Sequence, residues 1–167
     1  MMRICYIFNS SVPSSNPGSL QVIKTCEGLI KHNNEVELIT PNTGQKLSIK
    51  KFYNLKKIPK ISKIKFFKKF PLGLNYYLFS FFAVTYVLRS KFDLVITRNF
   101  FTLFLLTILN KKVIIEVHHD LSIESRIVRF IYYTFNIFNS SSIVKIIAIT
   151  NNVKKYLIED FKITSDK

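Results

Sequence analysis

Residues 3–40, RICYIFNSSVPSSNPGSLQVIKTCEGLIKHNNEVELIT, decide the fold. Residues 3–8 are continuously apolar or β-forming after Arg3 and stop at a polar cluster, which predicts a strand. A strand apolar along its whole length is expected where helices cover both faces of the sheet. Pro13, Pro17 and several serines then exclude a helix interior up to Gly18. Val22, Ile23, Cys26, Leu29 and Ile30 recur at helical spacing, with Gln21, Lys24, Glu27 and Lys31 between them. That helix is expected to end near His32-Asn33-Asn34, because asparagine tolerates the left-handed closing conformation. Residues 35–40 predict a second strand, stopped by Pro41-Asn42-Thr43-Gly44. Strand, loop, helix and strand make a βαβ unit.

Outward from this unit the alternation resumes. Strands are expected at 92–97, 112–117 and 143–149, with helices at 100–109, 123–138 and 152–160. The reading is an α/β, Rossmann-like, doubly wound parallel sheet with helices on both faces, a single domain over residues 1–161. Between the halves lies a basic loop insertion, residues 45–71, with a short strand expected near 48–53. A helix follows at 74–89, apolar on nearly all sides. Its fifteen-residue apolar stretch, 74–88, is shorter than the ~20 residues of a spanning helix.

Length and composition agree with one domain: 167 residues, 48% of them hydrophobic. The formal charge of +15 points to an anionic partner, but it is local. Residues 45–70 hold ten lysines and no acid; the remaining chain has 15 basic and 10 acidic residues. Cys5 and Cys26 both sit among apolar residues and read as buried free thiols. The apolar opening run is too short for a signal-peptide core.

Ligands of open parallel sheets bind outside the carboxyl ends of the strands. That rule selects Ser10–Ser19, Arg98-Asn99, His118-His119-Asp120 and Thr150-Asn151-Asn152. Pro17, Gly18 and Ser19 open a helix whose free N–H groups favour an anion, or else form a plain turn. Glu116 and His118 share one strand face. An imidazole there suits a sugar hydroxyl or an anionic leaving group; a capped histidine pair is the structural alternative. Metal binding by His118, His119 and Asp120 ranks last, since adjacent strand residues diverge. Arg98 either meets a phosphate or pairs with Glu116. The lysine segment, including Lys56, Lys57, Lys63, Lys65, Lys68 and Lys69, is a solvated loop, a seat for acidic lipid, or a nucleic-acid surface. The interleaved Phe52, Tyr53, Phe66, Phe67 and Phe70 and the apolar helix beyond favour lipid, which leaves nucleic acid behind.

The pieces MRICYIFN, QVIKTCEGLIKHNNEVELIT, FDLVITRN, KVIIEVHHD and IIAITNNVKKYLIEDF, in this order, resemble family 4 glycosyltransferases. The resemblance implies half of a GT-B fold: the acceptor-side domain, with residues 162–167 starting an interdomain linker and the C-terminal donor-binding domain lying outside the chain. It implies retaining, metal-independent transfer from a nucleotide sugar to a glycan or lipid-linked acceptor, with no other cofactor. His118, from the E-x-H match, would contact the donor sugar. Pro17, Gly18, Ser19, Arg98, Asn99, Glu116, His119, Asp120 and Thr150 would line the substrates. The first loop departs from the family in carrying Gly18-Ser19 where many members have two glycines, and the paired donor-binding glutamates are absent. The chain is therefore expected to be inactive alone; the lysine–aromatic segment and the apolar helix after it lead to the further expectation of a cytoplasmic protein, peripheral at the inner face of the membrane, in cell-envelope polysaccharide synthesis. The alternative is a non-enzymatic basic module that binds anionic membrane or nucleic acid. A dehydrogenase is disfavoured because GxGxxG is missing.

Overall fold

The computed structural model describes residues 1–42, 44, 48–65 and 72–164. Six strands pair in the order β3-β2-β1-β4-β5-β6 as an all-parallel, Rossmann-like sheet: β1 (Arg3–Ile7), β2 (Glu35–Pro41), β3 (Lys60–Ile64), β4 (Leu94–Thr97), β5 (Val113–Val117) and β6 (Ile143–Ala148). The chain divides into two compact units, Met1–Val95 and Ile96–Lys167.

In the first unit, Ile4, Cys5, Tyr6 and Ile7 of β1 are all buried, as a strand covered on both faces requires. Helix α1 (Pro17–Lys31) begins at Asn16, whose side chain accepts the Gly18 N–H at 2.8 Å, and Pro17 occupies the first turn. Its apolar stripe, Val22, Ile23 and Cys26, is buried, and Asn33 takes the left-handed conformation (φ 59°) after the last turn. Strand β2 then runs parallel to β1 with Arg3 opposite Glu35 and Ile7 opposite Ile39. Both cysteines are free and buried, and burial pushes the Cys5 thiol up.

The basic segment departs from expectation. Residues 49–52 form a short helix, α2 (Ile49–Phe52), where a strand was expected near 48–53. Ser48 caps it by accepting the Lys51 N–H, and Asn54 (φ 49°) closes the turn after it. The strand of this segment is β3, immediately after Pro59, so the stretch is not a plain loop. It pairs with β2 from Glu37 opposite Lys60 to Pro41 opposite Ile64. Pro59 just before the strand and lysines within it suit a sheet edge. Helix α3 (Leu72–Arg89) is two-faced: Phe79, Ala83, Val84 and Val87 are buried, whereas Phe81, Phe82 and Leu88 are exposed. Among the described residues no helix is long and apolar enough to cross a membrane.

The second unit holds α4 (Phe100–Ile108), β5, α5 (Arg126–Phe135), β6 and α6 (Asn151–Phe161). Register slips by one residue between β5 and β6 at Val113/Ile114. The helix expected over 123–138 is divided into a 3-10 turn (Leu121–Ile123), α5, and a second 3-10 turn (Ile137–Asn139). Ser125 starts α5 by accepting the Val128 N–H, and Asn136 ends it in the left-handed region (φ 47°). Phe100, Tyr132, Phe138 and Phe161 form an edge-to-face aromatic cluster with centroids 4.9–6.1 Å apart. The Tyr132 hydroxyl donates to the Phe100 carbonyl at 2.7 Å, so this buried phenol is satisfied.

Candidate functional site

The first unit presents the loop that enters α1. Gly18 N–H is already taken by Asn16, and Ser19, buried, donates its hydroxyl to the Ser11 carbonyl at 3.2 Å. Pro17 is exposed at the helix start. Tyr53 pins the loop: its hydroxyl accepts the Ser14 N–H and donates to the Ser14 carbonyl, both at 2.7 Å. Glu27 on α1 holds the basic segment from the other side. Its carboxylate accepts the Lys56 N–H at 2.6 Å, lies 3.2 Å from Lys24 Nζ, and accepts the Lys57 N–H at 3.4 Å. Those bonds, the Lys56 one first, lower its pKa from the usual 4.5 to about 2. Lys56 and Lys57 thus give their backbones to the fold and leave their side chains exposed. Lys63 is half-buried on β3 and Lys65 is exposed; Lys68 and Lys69, with Phe66, Phe67 and Phe70, lie outside the described residues.

A second carboxylate of this unit is fully engaged. Glu37, buried on β2, accepts from Ser62 Oγ (2.5 Å), Tyr86 Oη (2.5 Å) and Lys60 Nζ (3.0 Å). Burial pushes its pKa up, but these three donors outweigh that and the net shift is downward.

In the second unit the ends of β4 and β5 gather Arg98, Glu116 and His118. Arg98 Nε donates to Glu116 Oε2 at 2.8 Å, and Nη2 lies 2.6 Å from the same oxygen. The pair is largely withdrawn from water, with side chains 12% and 8% exposed. Two residues along, on the same strand face, His118 Nε2 lies 3.6 Å from that oxygen, beyond hydrogen-bond range. This nitrogen makes no hydrogen bond to any described residue. Of the two roles open to Arg98 in the sequence, the structure shows the pair with Glu116. The result is a carboxylate paired with Arg98 beside a part-exposed imidazole whose Nε2 is buried and makes no hydrogen bond among the described residues.

The neighbouring polar residues are committed locally. His119 turns away from His118: Nδ1 lies 2.7 Å from the Asp120 carbonyl, Nε2 lies 3.6 Å from Glu124, and the ring meets Phe100 edge-on. Burial holds the Glu124 carboxyl above its usual range, and His119 opposes that shift. Asp120 accepts from the Ser122 hydroxyl and N–H, which lower its pKa, and it caps the first 3-10 turn. Asn99 caps α4 by accepting the Thr102 N–H at 2.8 Å, and Thr150 caps α6 by accepting the Val153 N–H at 3.2 Å.

Asn99, Asp120 and Thr150 therefore have helix-start duties, a role the residue types before apolar runs could have announced. Tyr53 and Glu27, which hold the first loop and the basic segment, carried no sequence signal. Among the described residues no three His, Cys, Asp or Glu side chains are placed to share a metal ion. Two grooves, of 320 Å³ beside β6 and α6 and 330 Å³ beside Arg3 and Glu35, are not lined by the His118 group.

The chain resembles solved structures at low identity. A glycosyltransferase from Rickettsia africae ESF-5 superposes with a TM-score of 0.61 at 18% identity, covering 99% of this chain and 41% of that one. A Listeria monocytogenes protein described as a UDP-N-acetylglucosamine 2-epimerase gives 0.66 at 12% identity, covering 97% and 43%. The chain thus spans about two fifths of either relative, and these likenesses establish the fold, half of a GT-B architecture. No curated protein matches it. The profile described as Glycosyltransferase Family 4 matches residues 19–167, which begin two residues into α1 and include every strand after β1. On the strength of that match the chain belongs to glycosyltransferase family 4.

Proposed function

We propose that this chain is the acceptor-side domain of a retaining, metal-independent glycosyltransferase that moves a sugar from a nucleotide sugar to a glycan or lipid-linked acceptor. The supporting observation is the Arg98–Glu116–His118 group at the ends of β4 and β5. Arg98 neutralises Glu116, and Glu116 backs the imidazole, whose Nε2 has no partner among the described residues. That nitrogen is itself buried although the ring is part-exposed, so it would reach a donor hydroxyl after the ring turns toward the sugar. Gly18 and Ser19 give their N–H groups to Asn16 and the Ser19 hydroxyl goes to Ser11, so their part in substrate binding would be to shape the turn. Donor grip is assigned to residues outside these 167, because the chain spans about two fifths of its structural relatives. Residues 1–161 would be this domain and 162–167 the start of a linker.

His118→Ala, assayed together with a donor-binding domain on the same or a partner chain, should lower kcat/KM by about 10²-fold, read by release of nucleoside diphosphate in the presence of acceptor. Residues 1–167 alone should release none from any sugar nucleotide. Unchanged turnover in the variant would remove the assignment.

A second reading rests on the charge. The exposed Lys56, Lys57 and Lys65, with ten lysines and no acid over residues 45–70, suit an acidic membrane surface at the cytoplasmic inner face. This surface would bring a lipid-linked acceptor of the cell envelope within reach. Sedimentation with acidic vesicles that is unaffected by charge reversal at Lys56, Lys57, Lys68 and Lys69 would eliminate it.

A further inference from the structure

The loop from Asn9 to Ser15 lies beyond the carboxyl end of β1, the end at which open parallel sheets bind their ligands. Among the described residues this loop makes no backbone–backbone hydrogen bond. Side chains order it. Ser19 bonds the Ser11 carbonyl, and the Tyr53 hydroxyl takes the N–H and the carbonyl of Ser14. The order continues into the helix start: Ser14 Oγ accepts the Asn16 N–H at 3.1 Å, and Asn16 Oδ1 accepts the Gly18 N–H at 2.8 Å. A series of hydrogen bonds thus runs from the Tyr53 phenol to the first turn of α1.

Tyr53 lies 39 residues beyond Ser14 in the chain, and its place is set on both sides. Its N–H donates to the Ile49 carbonyl at 3.1 Å, the Leu55 N–H donates to the Lys50 carbonyl at 3.0 Å, and the Lys56 N–H donates to Glu27. The residue is 6% exposed, and its ring meets Phe52 edge-on. Phenylalanine would pack there equally well. The hydroxyl is the part that packing does not explain, and it serves two backbone groups of a loop that has no ladder of its own.

We propose that Tyr53 is a positioning residue for substrate binding: its hydroxyl holds the turn from Ser14 to Gly18 in the shape that a substrate meets. The assignment rests on the sugar-transfer reading and adds to it a residue that itself touches no substrate. A turn shaped before the substrate arrives favours ground state and transition state alike, so its loss raises KM and leaves kcat in place.

The experiment compares Tyr53→Phe with Tyr86→Phe, which removes another phenolic hydroxyl of the same unit, the one bonded to Glu37. In residues 1–167, amide hydrogen exchange at Ser14, Asn16 and Gly18 is expected to quicken about tenfold in Tyr53→Phe and to keep the parent rate in Tyr86→Phe. Assayed together with a donor-binding domain on the same or a partner chain, Tyr53→Phe should raise KM for the acceptor or for the nucleotide sugar about threefold to tenfold, with kcat within about twofold of the parent. Tyr86→Phe should leave both constants as they are, although each variant lowers the urea midpoint. Parent-like exchange at Ser14 or parent-like KM values in Tyr53→Phe overturn the proposal. So does an equal KM rise in Tyr86→Phe, which would trace the effect to lost stability. The two failures are distinct: a parent that transfers no sugar removes the reading beneath the proposal, whereas an active parent matched by Tyr53→Phe removes the proposal alone.

Discussion

Glu37 and Glu116 are both buried carboxylates on strands of one sheet, yet their surroundings differ. Glu37 accepts hydrogen bonds from Ser62, Tyr86 and Lys60, and each of these donors lies on β3 or α3 of its own unit. It fastens the β3 edge to the fold. Glu116 pairs with Arg98 and stands beside an imidazole whose buried Nε2 has no hydrogen-bond partner among the described residues. A buried acid closed by its neighbours serves architecture. One that stands beside a group with unused hydrogen-bonding capacity is a candidate for function rather than architecture.

The largest expected effect is at Glu116. Glu116→Ala removes the carboxylate that neutralises the largely buried Arg98 guanidinium, so stability should fall by about 3–5 kcal/mol, measured by urea unfolding. His118→Ala should separate the two roles: stability within about 0.5 kcal/mol of the parent, but transfer lowered as described above. A variant that lost both together would make His118 a structural residue like Glu37. Glu37→Gln keeps the shape but weakens three bonds made to a charge, so a loss of about 1–2 kcal/mol is expected with no change in transfer kinetics.

Glu27 should give the smallest effect, and it concerns pH. Its folded pKa is depressed from 4.5 to about 2. Its contribution is therefore complete above pH 4.5 and is lost as pH falls toward 2. Glu27→Gln should flatten the acid limb of the stability profile; an unaltered limb would mean that Lys56 and Lys24 do not hold the carboxylate in solution.

What the sequence revealed follows the same division. β1, α1, β2 and β5 were legible because their signals are local: an apolar run, a period, a cap or a breaker. β3 was not, since KISKI has weak alternation and exists as a strand through pairing with β2, twenty-odd residues earlier. The broken helix at 121–139 had visible signals, Ser125 before an apolar run and Asn136 after it, but the continuing apolar pattern hid them. At the site, Glu116 and His118 could be placed on one face from strand parity alone. That Arg98 chooses Glu116 required coordinates, because the two lie eighteen residues apart, whereas the helix-start roles of Asn99, Asp120 and Thr150 are local and were open to the sequence.

Tyr53 has a mechanical consequence. One phenolic oxygen grips both polar groups of Ser14, and the same stretch of chain is tethered to α1 through Glu27. The turn before α1 and the lysine-bearing strip are thereby riveted at two points, so a displacement imposed on either is passed to the other. Tyr53→Phe would remove one rivet without disturbing the ring that fills the space beneath.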